Sequence, residues 1–184
     1  MLIHALDPAT RCGWALGPAG ETPQSGAIVL KQPGQDLAHA CLNMAAHLRG
    51  TWRVERPQLV IFEKPMDPHV WFSLCKRTGQ PQNAASLSLQ HRLAGVIECM
   101  CGLYEIQCEG VDRQAVLKFF TGKRSWGGRE EGKKAVIERC QALTLIPKNS
   151  RDDDRADAVA NHAYASAIWG RARPRELTLF GQTA

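Results

Sequence analysis

Two short apolar runs in this chain each stop at a carboxylate. Leu2-Ile3-His4-Ala5-Leu6 ends at Asp7, and Leu59-Val60-Ile61-Phe62 ends at Glu63. Runs of four or five apolar residues are too short for a buried helix and suit strands buried on both faces. Each acid then leaves its strand at the carboxyl edge, where sites form in open α/β sheets. If the two strands are neighbours, the carboxylates converge.

The remaining pattern fills in the sheet. After the strand at 2–6, residues 13–17 (GWALG) and 26–30 (GAIVL) follow at hairpin spacing with Gly, Pro and Thr between them, which predicts three consecutive antiparallel strands. Leu37, Cys41, Met44, Ala45 and Leu48 change the period to one helical face and predict a helix over 36–49. A fourth strand spans 58–63. Residues 64–80, with Pro65, Pro68 and Gly79, read as a loop. A long helix over 84–104 carries Leu87, Leu93, Val96, Ile97, Met100 and Leu103, and a fifth strand covers 105–111. Asp112 is placed to cap a short helix running through Phe120, which Gly122 ends. Helices over 129–143 and 151–169 complete the chain, with Ser150 and Asp153 in a capping-box pattern at the start of the last. The predicted fold is α/β: a mixed five-stranded sheet, three antiparallel strands then parallel strands, with helices on both faces.

At 184 residues this is one domain, taken as 1–170, with 171–184 as a C-terminal tail. No apolar run approaches the ~20 residues of a membrane span, and the N-terminus lacks the basic start of a signal peptide, so a cytoplasmic protein with no membrane partner is expected. Seven irregularly spaced cysteines fit reduced thiols, and Cys99, Cys101 and Cys108 lack the partners of a zinc site.

Charge is unevenly placed. Arg113, Lys118, Lys123, Arg124, Arg129, Lys133 and Lys134 face only Glu130 and Glu131 within 113–134, and this segment carries +5, the net charge of the whole chain. Arg171, Arg173 and Arg175 add a second cluster. Such concentration points to a polyanionic partner. The last helix offers further acids. Asp152 and Asp153 suit a cap and a first turn, while Asp154 and Asp157 share one face at i, i+3. Asp157 enters an Ala/Val-rich run, where a charge needs a partner. Asp7, Glu63, Asp154 and Asp157 brought together would repel one another, and a hard divalent cation such as Mg²⁺ would relieve them.

The chain resembles the RuvC-type Holliday-junction resolvases of the ribonuclease H-like superfamily. The resemblance runs from Leu2 to about Trp169 and is carried by LDPATRCGW (6–14), VIFEKP (60–65), VLKFFTG (116–122), the lysines at 133–134 and DDRADAVA (153–160). The family's usual Asp-Pro-Gly is Asp7-Pro8-Ala9 here. The resemblance implies a ribonuclease H-like fold and Mg²⁺-dependent hydrolysis of a DNA phosphodiester in four-way junctions. It implies two ions per site, with Mn²⁺ as a substitute, and a twofold dimer. It places the metal ligands at Asp7, Glu63, Asp154 and Asp157, and the active-site lysine at Lys133, with Lys134 as the alternative. Lys118, Lys123, Arg124 and Arg129 would hold DNA phosphates. Met66, or Trp71 and Phe72 further along the loop, would contact unpaired bases, and helix 84–104 is the candidate dimer interface. The insertion at 122–132 is longer than usual, and the sequence is more like the divergent phage or prophage-borne members. Competing readings are a nuclease of the same fold acting on other branched DNA or structured RNA, and a junction-binding protein with an inactive site.

Overall fold

The computed structural model describes residues 1–78 and 84–170. The predicted tail at 171–184, with its three arginines, lies outside them. The strands are β1 (Leu2–Asp7), β2 (Arg11–Pro18), β3 (Gln24–Val29), β4 (Leu59–Glu63) and β5 (Gln107–Val111). The helices are α1 (Leu37–Val54), α2 (Pro68–Thr78), α3 (Ala84–Leu103), α4 (Arg113–Thr121), α5 (Arg129–Ala142) and α6 (Asp153–Trp169). The five strands form one sheet in the order β3-β2-β1-β4-β5. The first three pair antiparallel, whereas β1–β4 and β4–β5 are parallel. This is the predicted mixed sheet.

Alternation along the strands divides the core in two. Ile3, Ala5, Leu59 and Ile61 point to one face and pack with Val116, Val136, Ala156 and Val159 of α4, α5 and α6. Leu6, Val60 and Phe62 point to the other and pack with Met44, Leu48, Leu93 and Ile97 of α1 and α3. The same period of two carries Asp7 and Glu63 to the α6 face. Because Leu6 is opposite Phe62 in the parallel register, the two acids follow side by side.

Several local expectations change. Residues 68–78 are helical, not loop. Asp67 caps α2, its side chain accepting from the His69 N–H at 2.7 Å and its carbonyl from the Trp71 N–H at 2.9 Å. Pro68 then occupies the first helical position, where a missing N–H costs nothing. The cap of α6 is Asp152, which accepts from the Arg155 N–H at 3.1 Å; Ser150 lies outside the helix. Much of the apolar face of α3 is core: Leu89, Leu93, Ala94, Ile97 and Cys101 are buried within the molecule, whereas Leu103 at its end is 73% exposed. α1 runs on to Val54 and buries Trp52, whose Nε1–H donates to His4 Nδ1 at 3.0 Å. Asp112 and Gly122 bound α4 as expected, with Gly122 at φ 82°. All seven cysteines are free thiols.

Candidate active site

The carboxyl ends of β1 and β4 and the first two turns of α6 meet on one side of the sheet. Two contacts hold α6 there. Asn161, one turn beyond Asp157, donates its Nδ2–H to the carbonyl of Leu6 at 3.2 Å, beside Asp7. Gly13 on β2 lies under the first turn, and a Cβ there would come 1.8 Å from the Asp154 carbonyl oxygen. Only glycine permits this approach.

Asp7, Glu63 and Asp157 are thereby brought close enough to act on one another. Burial and the neighbouring charges of Glu63 and Asp157 push Asp7 well above the ordinary carboxylate range, against a smaller opposing pull from Arg113. Burial lifts Glu63 to about 7, although Arg113 and Arg129 draw it down. Burial lifts Asp157 to about 6, opposed by Arg113 and Lys133. A cavity of about 30 Å³ opens beside them, lined by Glu63, Arg113, Leu117, Gly132, Asp157 and Asn161. Asp7 does not line it.

Asp154 departs from the expected arrangement. Its carboxylate accepts from Arg11 at 2.5 Å, and the same guanidinium makes two bonds to Asp152, at 2.7 and 2.5 Å. Among the described residues, Asp152, Asp153 and Asp154 have oxygens mutually within 4.8 Å, and the Asp154 charge still acts on Asp7 and Asp157. The physical reason is charge balance. Arg11 and Lys133 pair with the α6 trio, while Asp7, Glu63 and Asp157 are balanced more loosely, by Arg113 at 3.7 Å from Glu63 and by the charges of Arg129 on Glu63 and Lys133 on Asp157.

The basic residues sort by direction. Lys133 contacts Asp153, and its side chain is 19% exposed. Lys134 points outward, 77% exposed, 3.8 Å from Glu138. Of the two lysines, Lys133 therefore faces the acids. Lys118 does not face the cavity; α4 presents Arg113, Val116 and Leu117 to it. Lys123 lies 4.6 Å over the Trp126 ring, and Arg124 is exposed in the same loop. Met66 and Phe72 are exposed, and the Trp71 and Phe72 rings meet edge to face at 5.0 Å.

Two cations were not singled out by sequence reasoning. Arg113 appeared only as one of seven basic residues, yet its Nη1 is 3.7 Å from Glu63. Its position directly after the Asp112 cap was the available signal. Arg11 had none, because its partners are 141 and 143 residues away.

The donor set suits a hard divalent cation. Asp7, Glu63 and Asp157 offer carboxylate oxygens, and Arg113 meets them only loosely, 3.7 Å from Glu63. Among the described residues, none of these carboxylates is held in a bidentate pair.

No family model and no curated protein sequence matches the chain. Its fold does match solved structures. Thermus thermophilus RuvC superposes with a TM-score of 0.64 at 14% identity, covering 90% of this chain and 94% of that one. T. thermophilus RuvC in complex with a Holliday junction substrate gives 0.64 at 13%, with the same coverage. The yeast mitochondrial Holliday junction resolvase Ydc2 gives 0.58 at 9%, covering 89% of this chain and 77% of that one. The chain has a divergent RuvC-like fold.

Proposed function

We propose that this protein is a metal-dependent endonuclease that cuts branched DNA, with the four-way junction as its substrate. The observation that carries the reading is the convergence of Asp7, Glu63 and Asp157 from β1, β4 and α6 at the edge of a RuvC-like sheet. These three, with Asp154 once it leaves Arg11, would hold Mg²⁺ or Mn²⁺. When bound, the metal supplies Lewis acidity at the phosphate and a more acidic water.

The chain's own residues do the rest. Lys133, on α5 beside the acids, stabilises the charge that develops on the phosphate. Arg129, one turn before it, faces the same side and is felt by Glu63. Lys118, Lys123, Arg124 and Lys134 are exposed and serve as contacts to backbone phosphates, which makes affinity fall with salt. Met66, Trp71 and Phe72 follow β4, with Met66 and Phe72 exposed, and serve as contacts for unpaired bases. A junction has two strands to cut, and a twofold dimer supplies two sites. Among the described residues no helix is long and apolar enough to cross a membrane.

The test is a Mg²⁺ digest of a synthetic mobile junction. Symmetric nicks are expected from the wild type. Asp7→Asn abolishes cleavage while junction binding stays equal or tightens, since a repulsive charge is removed. Preferential cutting of flaps, forks or structured RNA would change the substrate assignment, and no cleavage with Mg²⁺ or Mn²⁺ would overturn the enzyme reading.

A further inference from the structure

Arg113 occupies an unusual position. Its guanidinium is 3.7 Å from Glu63, a loose contact, and its charge acts on Glu63, Asp157 and Asp7 together. Such a cation is shared among the acids and not locked to one. The other arginine at the site behaves differently, since Arg11 makes three short bonds to Asp152 and Asp154. Arg113 also lines the cavity, whose volume of about 30 Å³ holds roughly one or two waters. Mg²⁺ keeps several waters and needs more room than this. The side chain is partly open to solvent. It is 47% exposed and sits at the first position of α4, whose backbone is anchored separately by the Asp112 cap and by buried Val116 and Phe120.

We propose that Arg113 is an exchangeable counter-ion. It holds the Asp7–Glu63–Asp157 cluster together before the divalent cation arrives, is displaced from Glu63 when the cation enters, and then turns outward to bind a DNA phosphate. This deepens the nuclease reading and rests on it. The residue is a competitor for the metal and a positioning group for the substrate. It takes on α4 the phosphate-holding role that the family resemblance implies for Lys118.

Mn²⁺ binding to the DNA-free protein, followed by the paramagnetic resonance of free Mn²⁺, tests the first half. Arg113→Gln should bind Mn²⁺ at least ~10-fold more tightly than the wild type, because a charge within a few ångströms is removed. Arg113→Lys, which keeps the charge, should remain within about threefold. Junction affinity measured in Ca²⁺ tests the second half: Arg113→Gln should lose about tenfold, for one charge-assisted phosphate contact. Equal or weaker Mn²⁺ binding by a folded Arg113→Gln overturns the proposal. If that variant does not fold, the wild type decides: the Arg113 Nε resonance, assigned by its loss in Arg113→Lys, should shift on adding Mg²⁺. A resonance that stays fixed while the Glu63 carboxyl signal moves overturns it. Failure of the underlying reading is distinct: neither the wild type nor Arg113→Gln would bind Mn²⁺, and Glu63→Gln would change nothing.

Discussion

The carbonyl oxygen of Asp154 fills the space that a Cβ on Gly13 would need, 1.8 Å from its ideal position. The start of α6 is therefore seated directly on the backbone of β2, and the spacing between Asp7 and Asp157 depends on that seat. Gly13→Ala must push α6 off the sheet. We expect a loss of about 2 kcal/mol or more in urea unfolding, typical of overpacking against backbone. Cleavage should fall further than stability alone accounts for, because the carboxylates separate. A variant as stable and active as the wild type would show that α6 can shift without consequence.

Lys133 and Lys134 are neighbours in the chain but not in space. Lys133 reaches Asp153 and acts on Asp157, whereas Lys134 is solvent-exposed beside Glu138. Lys133→Ala should lower the cleavage rate about 100-fold, the usual effect of removing one transition-state charge contact, with a smaller loss in DNA affinity. Lys134→Ala should leave stability within ~0.5 kcal/mol and alter only salt-dependent binding. Single-turnover cleavage beside a binding isotherm separates the two, and a pure affinity loss for Lys133→Ala would move it to the backbone-contact class.

What could be read in advance was whatever depends on local pattern. Runs ending at Asp7 and Glu63, and the switch from period two to helical spacing after residue 36, are enough to give the strands, the mixed sheet and helices on both faces, while the neighbouring of β1 and β4 comes from the structure. Asp112 and Gly122 carry their capping roles in their own chemistry. The failures arose where a local signal had two meanings or none. Pro68 looks like a breaker, but after Asp67 it starts a helix. Ser150 and Asp152 can both cap, and the bond from Arg11 favours the latter. At α4, a one-residue difference in facing decides between Lys118 and the Arg113–Leu117 side, and only packing of Val116 and Phe120 against the sheet settles it. Contacts such as Arg11 with Asp154 join distant segments and leave no periodic trace.

Burial among like charges makes the ionisation of Glu63 cost the metal-free fold stability as pH rises. Glu63 ordinarily titrates at 4.5 but is held at about 7 in the fold. Below 4.5 it is protonated in both states and costs nothing. Between 4.5 and 7 folding takes up a proton, so stability falls with rising pH, and above 7 the cost is constant. His4 works in the opposite direction, lowered from 6.5 to about 3 by burial, and adds stability as pH rises through that interval. The difference between Glu63→Gln and the wild type isolates the first effect. In EDTA the variant should gain about 2–3 kcal/mol relative to the wild type from pH 4.5 to 7 and then level off. Saturating Mg²⁺ should shrink that gain by stabilising the wild type. A difference that stays flat with pH would mean that Arg113 fully compensates the Glu63 charge.

Phe72 is 59% exposed on α2, its ring against that of a half-buried Trp71, and Val70 on the same helix is 58% exposed, so α2 presents apolar surface to water. Truncating it removes little intramolecular packing, so Phe72→Ala should unfold within ~0.5 kcal/mol of the wild type. Its effect should appear only where bases are unpaired. Loss of one stacking contact is worth about 1–3 kcal/mol, which corresponds to roughly a tenfold or greater drop in junction affinity. Linear duplex DNA offers no open base face, and binding to it should be unchanged, held by the exposed lysines and weakened by salt as before. Paired titrations of junction and duplex at one fixed salt concentration make the comparison. Equal losses on both would assign Phe72 to general surface contact, and a large loss of stability would return it to the core of α2.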